Sequence, residues 1–191
     1  MRKLLLTTAI AMAASYGSVA QAADYQIDVK GAHAFILFKI KHLGYSWLNG
    51  RFNDFDGDFT YDAAKPEKST INVSINTASI DSNHAERDKH LRGGDFLEVK
   101  KYPQASFKST HFDVSNENKA TVTGDLTLHG VTKSISFPVN KIGEGQDPWG
   151  GYRAGFTGVT TLKLADYGIT YNLGPASTHV ELQLNIEGIR Q

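Results

Sequence analysis

HAERDKHLRGGDFLEVKKYPQASFKS, residues 84–109, is the one stretch of this 191-residue chain in which helix signals replace an otherwise continuous series of strand-like segments. Asn83 can cap a first helical turn with Glu86 three residues on, Gly93 and Gly94 stop it, and Asp95 with Glu98 repeats the start signal. Pro103 ends the second piece, because the residue before a proline is pushed out of the helical region. The spacing predicts two helices of roughly one to two turns within one connection of a β domain, a position suited to a lid or an end-plug. Helices that short must be held by packing, for which Leu91, Phe96 and Leu97 are the apolar side chains to hand. Phe96 and Leu97 are expected to close one end of the fold as a lid that opens for exchange.

Working outward, the flanking segments alternate with the period of half-buried strands. Ala34, Ile36, Phe38 and Ile40 make the better inward face of the first, and His42 continues that register. After a Gly44 to Gly50 turn that carries Trp47, Phe55, Gly57, Phe59 and Tyr61 oppose Asp54, Asp56 and Asp58, and Ile71, Val73 and Ile75 oppose Asn72, Ser74 and Asn76. Beyond the insert, Ala105 and Phe107 resume the pattern, followed by Val122, Gly124, Leu126 and Leu128. His129-Gly130 is a tight turn into Ile135, Phe137 and Val139. A Gly-rich loop, Gly143 to Gly151, holds Pro148 and Trp149; Phe156, Gly158, Thr160, Leu162 and Leu164 then form one strand face, and Val180, Leu182, Leu184 and Ile186 another. That is about eight strands joined by connections too short for parallel crossovers, which predicts an all-β, antiparallel up-and-down barrel with a short helical insert. About eight strands enclose an interior just wide enough to be filled by side chains or to hold one small ligand. Strands of roughly ten residues rise about 33 Å, enough to surround an extended lipid-like tail. The inward Gly57, Gly124, Gly158 and Ala34 either leave space or permit close packing at corners, and the sequence leaves both open.

The first 22 residues, MRKLLLTTAIAMAASYGSVAQA, join a basic start at Arg2 and Lys3 to an apolar run from Leu4 to Ala14 and small residues at Ala20 and Ala22. This is the pattern of a secretory signal, and its apolar run is shorter than the roughly 20 residues a membrane span needs. The expected mature chain, residues 23–191, is a single domain located in the periplasm. Cysteine is absent, which excludes disulfides, thiolate ligands and a Cys nucleophile. The whole chain carries 20 basic and 20 acidic side chains, and losing Arg2 and Lys3 leaves 18 against 20 with the signs interspersed. Nucleic-acid binding needs a basic patch, which this distribution does not supply.

Five stretches together resemble the YceI-like family of periplasmic polyisoprenoid-binding proteins: HAFILFKIKHLGYSW (His33 to Trp47), RFNDFDGDF (Arg51 to Phe59), the 84–109 insert, GDLTLHGVTK (Gly124 to Lys133) and DPWGGYRAGF (Asp147 to Phe156). They cover the expected mature chain in order, with the Gly93-Gly94 pair the main departure from the family pattern. The resemblance implies a lipocalin-like barrel whose apolar tunnel holds a long isoprenoid lipid or quinone as ligand, with no cofactor, no catalytic residue and no stable membrane insertion; a homodimer is compatible with it. The residues expected to line the tunnel are Ile36, Phe38, Ile40, Phe59, Val73, Phe96, Leu97, Phe107, Leu126, Leu128, Phe137, Phe156, Leu162, Leu182 and Leu184. His42, Trp47, Arg87 and Trp149 are candidates for the mouth or for head-group contact.

His84, Glu86, Asp88 and His90 invite a metal, and with it a metal-dependent periplasmic enzyme as the alternative function. On a helix, however, only His84 with Asp88 and Glu86 with His90 share a face, so no three ligands converge and a solvated, salt-bridged helix is the better reading. Arg87 and Arg92 read first as structural partners of acidic groups, and His42 as a hydrogen-bonded core histidine. No G-x-S-x-G elbow, H-E-x-x-H helix or Walker loop is present. A third reading, an outer-membrane barrel, needs the same alternation with inside and outside exchanged; the insert and the polar Arg190-Gln191 end argue against it.

Overall fold

A strand with an unpaired edge leaves a row of backbone donors and acceptors unsatisfied, and this chain limits such edges by closing its sheet on itself. The computed structural model describes residues 22–191, so the expected signal segment, but for Ala22, lies outside the described residues. Eleven antiparallel segments build the wall: β1 (Ala23–Ile27), β2 (Phe35–His42), β3 (Ser46–Phe52), β4 (Phe55–Tyr61), β5 (Thr70–Asn76), β6 (Ile80–Asp81), β7 (Gln104–Asn116), β8 (Lys119–Leu128), β9 (Val131–Gln146), β10 (Tyr152–Lys163) and β11 (His179–Arg190). Both β1 and β2 pair with β11, β3 and β4 follow one another on the next position, and β5 and β6 on the one after. Six short segments thus make three interrupted staves, and with β7 to β11 they complete an eight-stranded up-and-down barrel. The inward alternation expected for Ala34 to Phe38, Phe55 to Tyr61, Val122 to Leu126 and Ile186 is the buried set observed. Polar side chains face outward, the reverse of a membrane barrel. Strand β1 goes unnoticed in the sequence reading, although Ala23, Tyr25 and Ile27 alternate with Asp24 and Gln26; five residues next to a signal segment are a weak periodic signal.

Turn chemistry fixes the hairpins. His129 and Gly130 both take positive φ, 51° and 75°, the two-residue turn whose twist matches the flanking strands. Two loops are shorter than expected: β3 already begins at Ser46, which places Trp47 in a strand, and β9 and β10 reach to Gln146 and Tyr152, leaving a turn of 147–151.

The insert holds one helix where two were expected, α1 (Ala85–Leu91). His84 caps it, its Nδ1 accepting from Arg87 N at 3.2 Å, while Asn83 sits one residue earlier with φ of 61° and donates its own N–H to Asp81. After Gly94 the backbone donors turn back to the end of α1 instead of propagating a second helix: Leu97 N reaches Leu91 O and Val99 N reaches Arg92 O, and Glu98 adopts φ of 43°. This wrap drives Phe96 and Leu97 inward, where they are buried with Phe38, Ile80 and Ile169 and packed against Leu128, Leu164 and Leu173. The segment therefore closes one end of the barrel, as expected of Phe96 and Leu97, and does so as a plug packed into the core. Truncating Phe96 to Ala should cost about 3 kcal/mol and lower Tm by roughly 6–12 °C. Thermal unfolding of the ligand-free protein measures this, and a shift under 2 °C would show the insert to be only loosely seated.

Candidate functional site

Above the plug the inward side chains stop meeting across the barrel and leave a cavity of about 160 Å³, some ten times what one water molecule requires. Its wall is apolar and built from every side of the barrel, with Ile36 from β2, Phe59 from β4, Val73 from β5, Phe107 from β7, Leu126 from β8, Phe137 from β9, Phe156 from β10, and Leu182 and Leu184 from β11. The floor lies where Leu126 packs with Leu162 and Tyr167. The mouth opens at the end opposite the insert, between Pro66 and Ser69 of the β4–β5 connection with Thr70 at the start of β5, and the Asn116–Lys119 turn, with Tyr61 and Lys141 on its rim. Along β8 the cavity spans Lys119 to Leu126, eight residues whose seven steps rise about 24 Å and, at the tilt of a small barrel, cover a depth of about 18 Å. Inward glycines seat aromatic rings here: a Cβ on Gly124 would lie 2.5 Å from Phe107 Cζ, and the Phe107 and Phe137 rings pack with centres 5.5 Å apart. Of the two roles open for these glycines, close packing is the one found.

Nine of the expected lining residues meet in this cavity, namely Ile36, Phe59, Val73, Phe107, Leu126, Phe137, Phe156, Leu182 and Leu184. Phe38, Phe96, Leu97 and Leu128 belong instead to the plug, Leu162 lies below the floor, and the half-buried Ile40 sits near the same end of β2. The inward register is right for them, but the plug fills that end of the barrel. His42 is exposed at the end of β2, contrary to the expected core position, because the strand has by then run past the plug. Trp47 is half-exposed with Lys39 and Lys41 over its ring, also far from the mouth. Arg87 donates to Ser82 Oγ at 2.7 Å and to the Ser82 carbonyl, and Arg92 to the Ala78 and Ile80 carbonyls, so both clamp the insert to the barrel. Trp149 stands exposed on the 147–151 turn, outside the cavity. Tyr61, Ile71, Ile75, Val122, Ile135 and Val139 also line it, all on inward faces recognised in the sequence; Phe112, Val114 and Lys141 lie in the long β7 and β9 extensions that the sequence reading leaves out.

Acidic and histidine groups of the insert point to separate partners. Asp88 is buried and accepts from Ser82 N at 2.8 Å, and the His90 ring lies 2.9 Å from Asp95. A different polar cluster, missed in the sequence, joins the β1–β2 break, the 147–151 turn and β11. Arg153 reaches Asp28, Asp147 and Glu187, each at 2.7 Å, and His33 lies 2.8 Å from Asp28. Among the described residues, Asp28, His33 and Glu187 are the group close enough to share a cation, but the Arg153 guanidinium already bridges both carboxylates there. The His33 hydrogen bond, reinforced by Arg153 and the Gly31 amide against an opposing effect of burial, holds the Asp28 carboxyl down at about 2; Arg153 likewise lowers Asp147.

A closed antiparallel barrel with one plugged end and one open, apolar pocket defines a lipocalin-like barrel. The YceI-like domain matches residues 25–188, and the chain belongs to that family. UPF0312 proteins of Shewanella sp. (strain W3-18-1) and Ectopseudomonas mendocina are 56% and 59% identical over 191 residues, the full length of this chain and of each relative. Among solved structures, a YceI protein of Campylobacter jejuni superposes with a TM-score of 0.72 at 28% identity, covering 80% of this chain and 90% of its own. BcnA of Burkholderia cenocepacia gives 0.76 at 24% identity over 84% and 98%, and a polyisoprenoid binding domain from Saccharophagus degradans 0.66 at 18% over 90% and 100%. The last two likenesses establish the fold.

The Arg153 cluster gives a pH signature. A carboxylate whose pKa is depressed on folding contributes stability that is complete above its unfolded value near 4 and is lost as pH falls through about 2. Arg153→Met should therefore lower Tm most at pH 7, with the gap from wild type narrowing between pH 4 and pH 2. Thermal unfolding across that range checks it, and a gap independent of pH would mean that the cluster acts through packing alone.

Proposed function

We propose that this protein is a periplasmic binding protein, without catalytic activity, that takes an isoprenoid lipid or quinone out of water and stores or carries it. The observation that carries this reading is the cavity itself: a largely apolar wall, with the plug filling one end of the barrel and an opening at the other. Transfer of a hydrocarbon chain into such a space is worth about 0.8 kcal/mol per methylene, so a prenyl tail is retained without polar contacts. The Saccharophagus neighbour described as a polyisoprenoid binding domain supports the same ligand class. Among the described residues no helix is long and apolar enough to cross a membrane, and the leader-like first 22 residues favour export.

The test is to place a charge on the wall. Leu126 is buried at the cavity floor, whereas its neighbour Asp125 faces solvent. Leu126→Asp should abolish co-purification of an apolar molecule, since an unpaired buried carboxylate demands water where the tail would lie, and Asp125→Asn should leave it unchanged. Lipid content is read by native mass spectrometry of protein purified without added lipid. Wild-type protein that yields no bound species, before or after incubation with prenyl lipids, would sink the reading.

A further inference from the structure

Lys141 breaks the pattern of the cavity wall. The inward positions of β9 run Ile135, Phe137, Val139 and then Lys141, so a cation stands where the alternation calls for a fourth apolar side chain. Its backbone N–H donates to the Asn118 carbonyl at 2.9 Å, which fixes it beside the β7–β8 turn at the mouth. Only 17% of its side chain is exposed; Nζ lies 5.4 Å from the centre of the Tyr61 ring and donates to Glu144 Oε1 at 3.2 Å. Burial pulls its pKa down, but Tyr61 and Glu144 outweigh burial and leave it raised, so the ammonium stays charged.

Two consequences follow from elementary chemistry. An ammonium carries three N–H donors; Glu144 takes one and the Tyr61 hydroxyl, whose hydrogen bond helps raise the Lys141 pKa, takes a second, which leaves one free. Donor capacity therefore remains at the boundary between apolar wall and water, where the polar end of an amphiphile comes to rest once its tail is inside. The charge of Lys141, by contrast, is already matched. A phosphate drawn to Nζ would bring its negative charge beside the Glu144 carboxylate. A neutral carbonyl or hydroxyl accepts the free N–H without disturbing the pair.

We propose that Lys141 is the head-group anchor of the cavity, holding the lipid tail-inward and selecting a neutral, hydrogen-bond-accepting head over a phosphate. This rests on the lipid-binding reading above. The experiment compares the full-length chain with Lys141→Met, Lys141→Arg and Glu144→Gln, using four probes that share one isoprenoid chain: a prenyl benzoquinone, a prenyl alcohol, a prenyl phosphate and the head-less hydrocarbon. Affinities come from displacement of a dansylated prenyl reporter, with thermal unfolding confirming the fold of each variant.

Wild type should bind the quinone and the alcohol about tenfold more tightly than the phosphate, the scale of one hydrogen bond to a charged group. Lys141→Met should lose about tenfold for the quinone and nothing for the hydrocarbon, and Lys141→Arg should keep most of the quinone affinity. Glu144→Gln should narrow the preference over phosphate. Phosphate as the tightest wild-type probe, or an equal loss on quinone and hydrocarbon in Lys141→Met, overturns the anchor. If Lys141→Met does not fold, the wild-type ranking and the Glu144→Gln shift still decide. Failure of all four probes to bind wild type would instead overturn the lipid-binding reading itself, which keeps the two failures distinct.

Discussion

Strand β11 has two partners on one edge, and the architecture depends on that double pairing. Its C-terminal residues pair with β1, Tyr25 facing Arg190, and its N-terminal residues pair with β2, Ile40 facing Val180. Between Ile27 and Phe35 the chain advances eight residues while β11 advances three, and the excess forms the loop that holds Asp28 and His33. Closing the ring fixes the register of every stave at once, because a slip of one residue would turn each apolar face outward. The Arg153 cluster sits at this closure and ties the loop to β10, β11 and the 147–151 turn. A guanidinium only 20% exposed, serving three carboxylates on separate elements of which two are nearly buried, fixes geometry more than it adds energy, since the cost of desolvating the charges offsets much of their attraction.

The barrel has unlike ends, and the difference is one of backbone supply. At the insert end, long connections deliver extra apolar side chains into the bore: Phe96 and Leu97 after α1, and Leu164, Ile169 and Leu173 between β10 and β11. At the other end the β7–β8 connection is a two-residue turn, and the β4–β5 connection keeps its exposed lysines on the surface, so no side chain plugs the bore. Depth and polarity follow without any special device. An amphiphile entering such a vessel tail-first passes the polar rim, buries its tail in hydrocarbon and leaves its head at the rim.

Much of this was legible in the sequence, because the period of two is a direct physical readout of which side of a sheet each residue faces. Antiparallel closure, eight staves and the inward identities of Ile36, Phe59, Leu126 and Leu184 all follow from it. Periodicity says nothing of where along the bore the space lies, which is why Phe38, Leu128 and Leu162 share the right face yet lie in the plug or beneath the floor. Nor could helix signals foresee that the backbone after Gly94 would fold back onto α1, since those hydrogen bonds are made to residues brought near only by the tertiary structure. The Arg153 cluster joins residues as far apart as positions 28 and 187, and no local pattern announces it. Lys141 is different in kind: its signal, a lysine at the fourth inward position of Ile135-Phe137-Val139, was present in the sequence and hidden only by taking β9 to end at Val139.

That single exception also bears on how a tunnel of this type discriminates among ligands. An apolar wall separates tails that differ by one methylene by only about 1 to 3 kcal/mol, and a flexible prenyl chain can fold to fill or vacate part of the bore. Sites that must satisfy a polar group are more exacting, because a wrong partner leaves a donor or a charge unpaired in a place water reaches poorly. In this barrel such a site lies at the mouth, where Lys141, Tyr61 and Glu144 converge on the edge of the apolar wall. On the proposed lipid-binding reading, the bore sets the class of molecule and the rim distinguishes among members of the class.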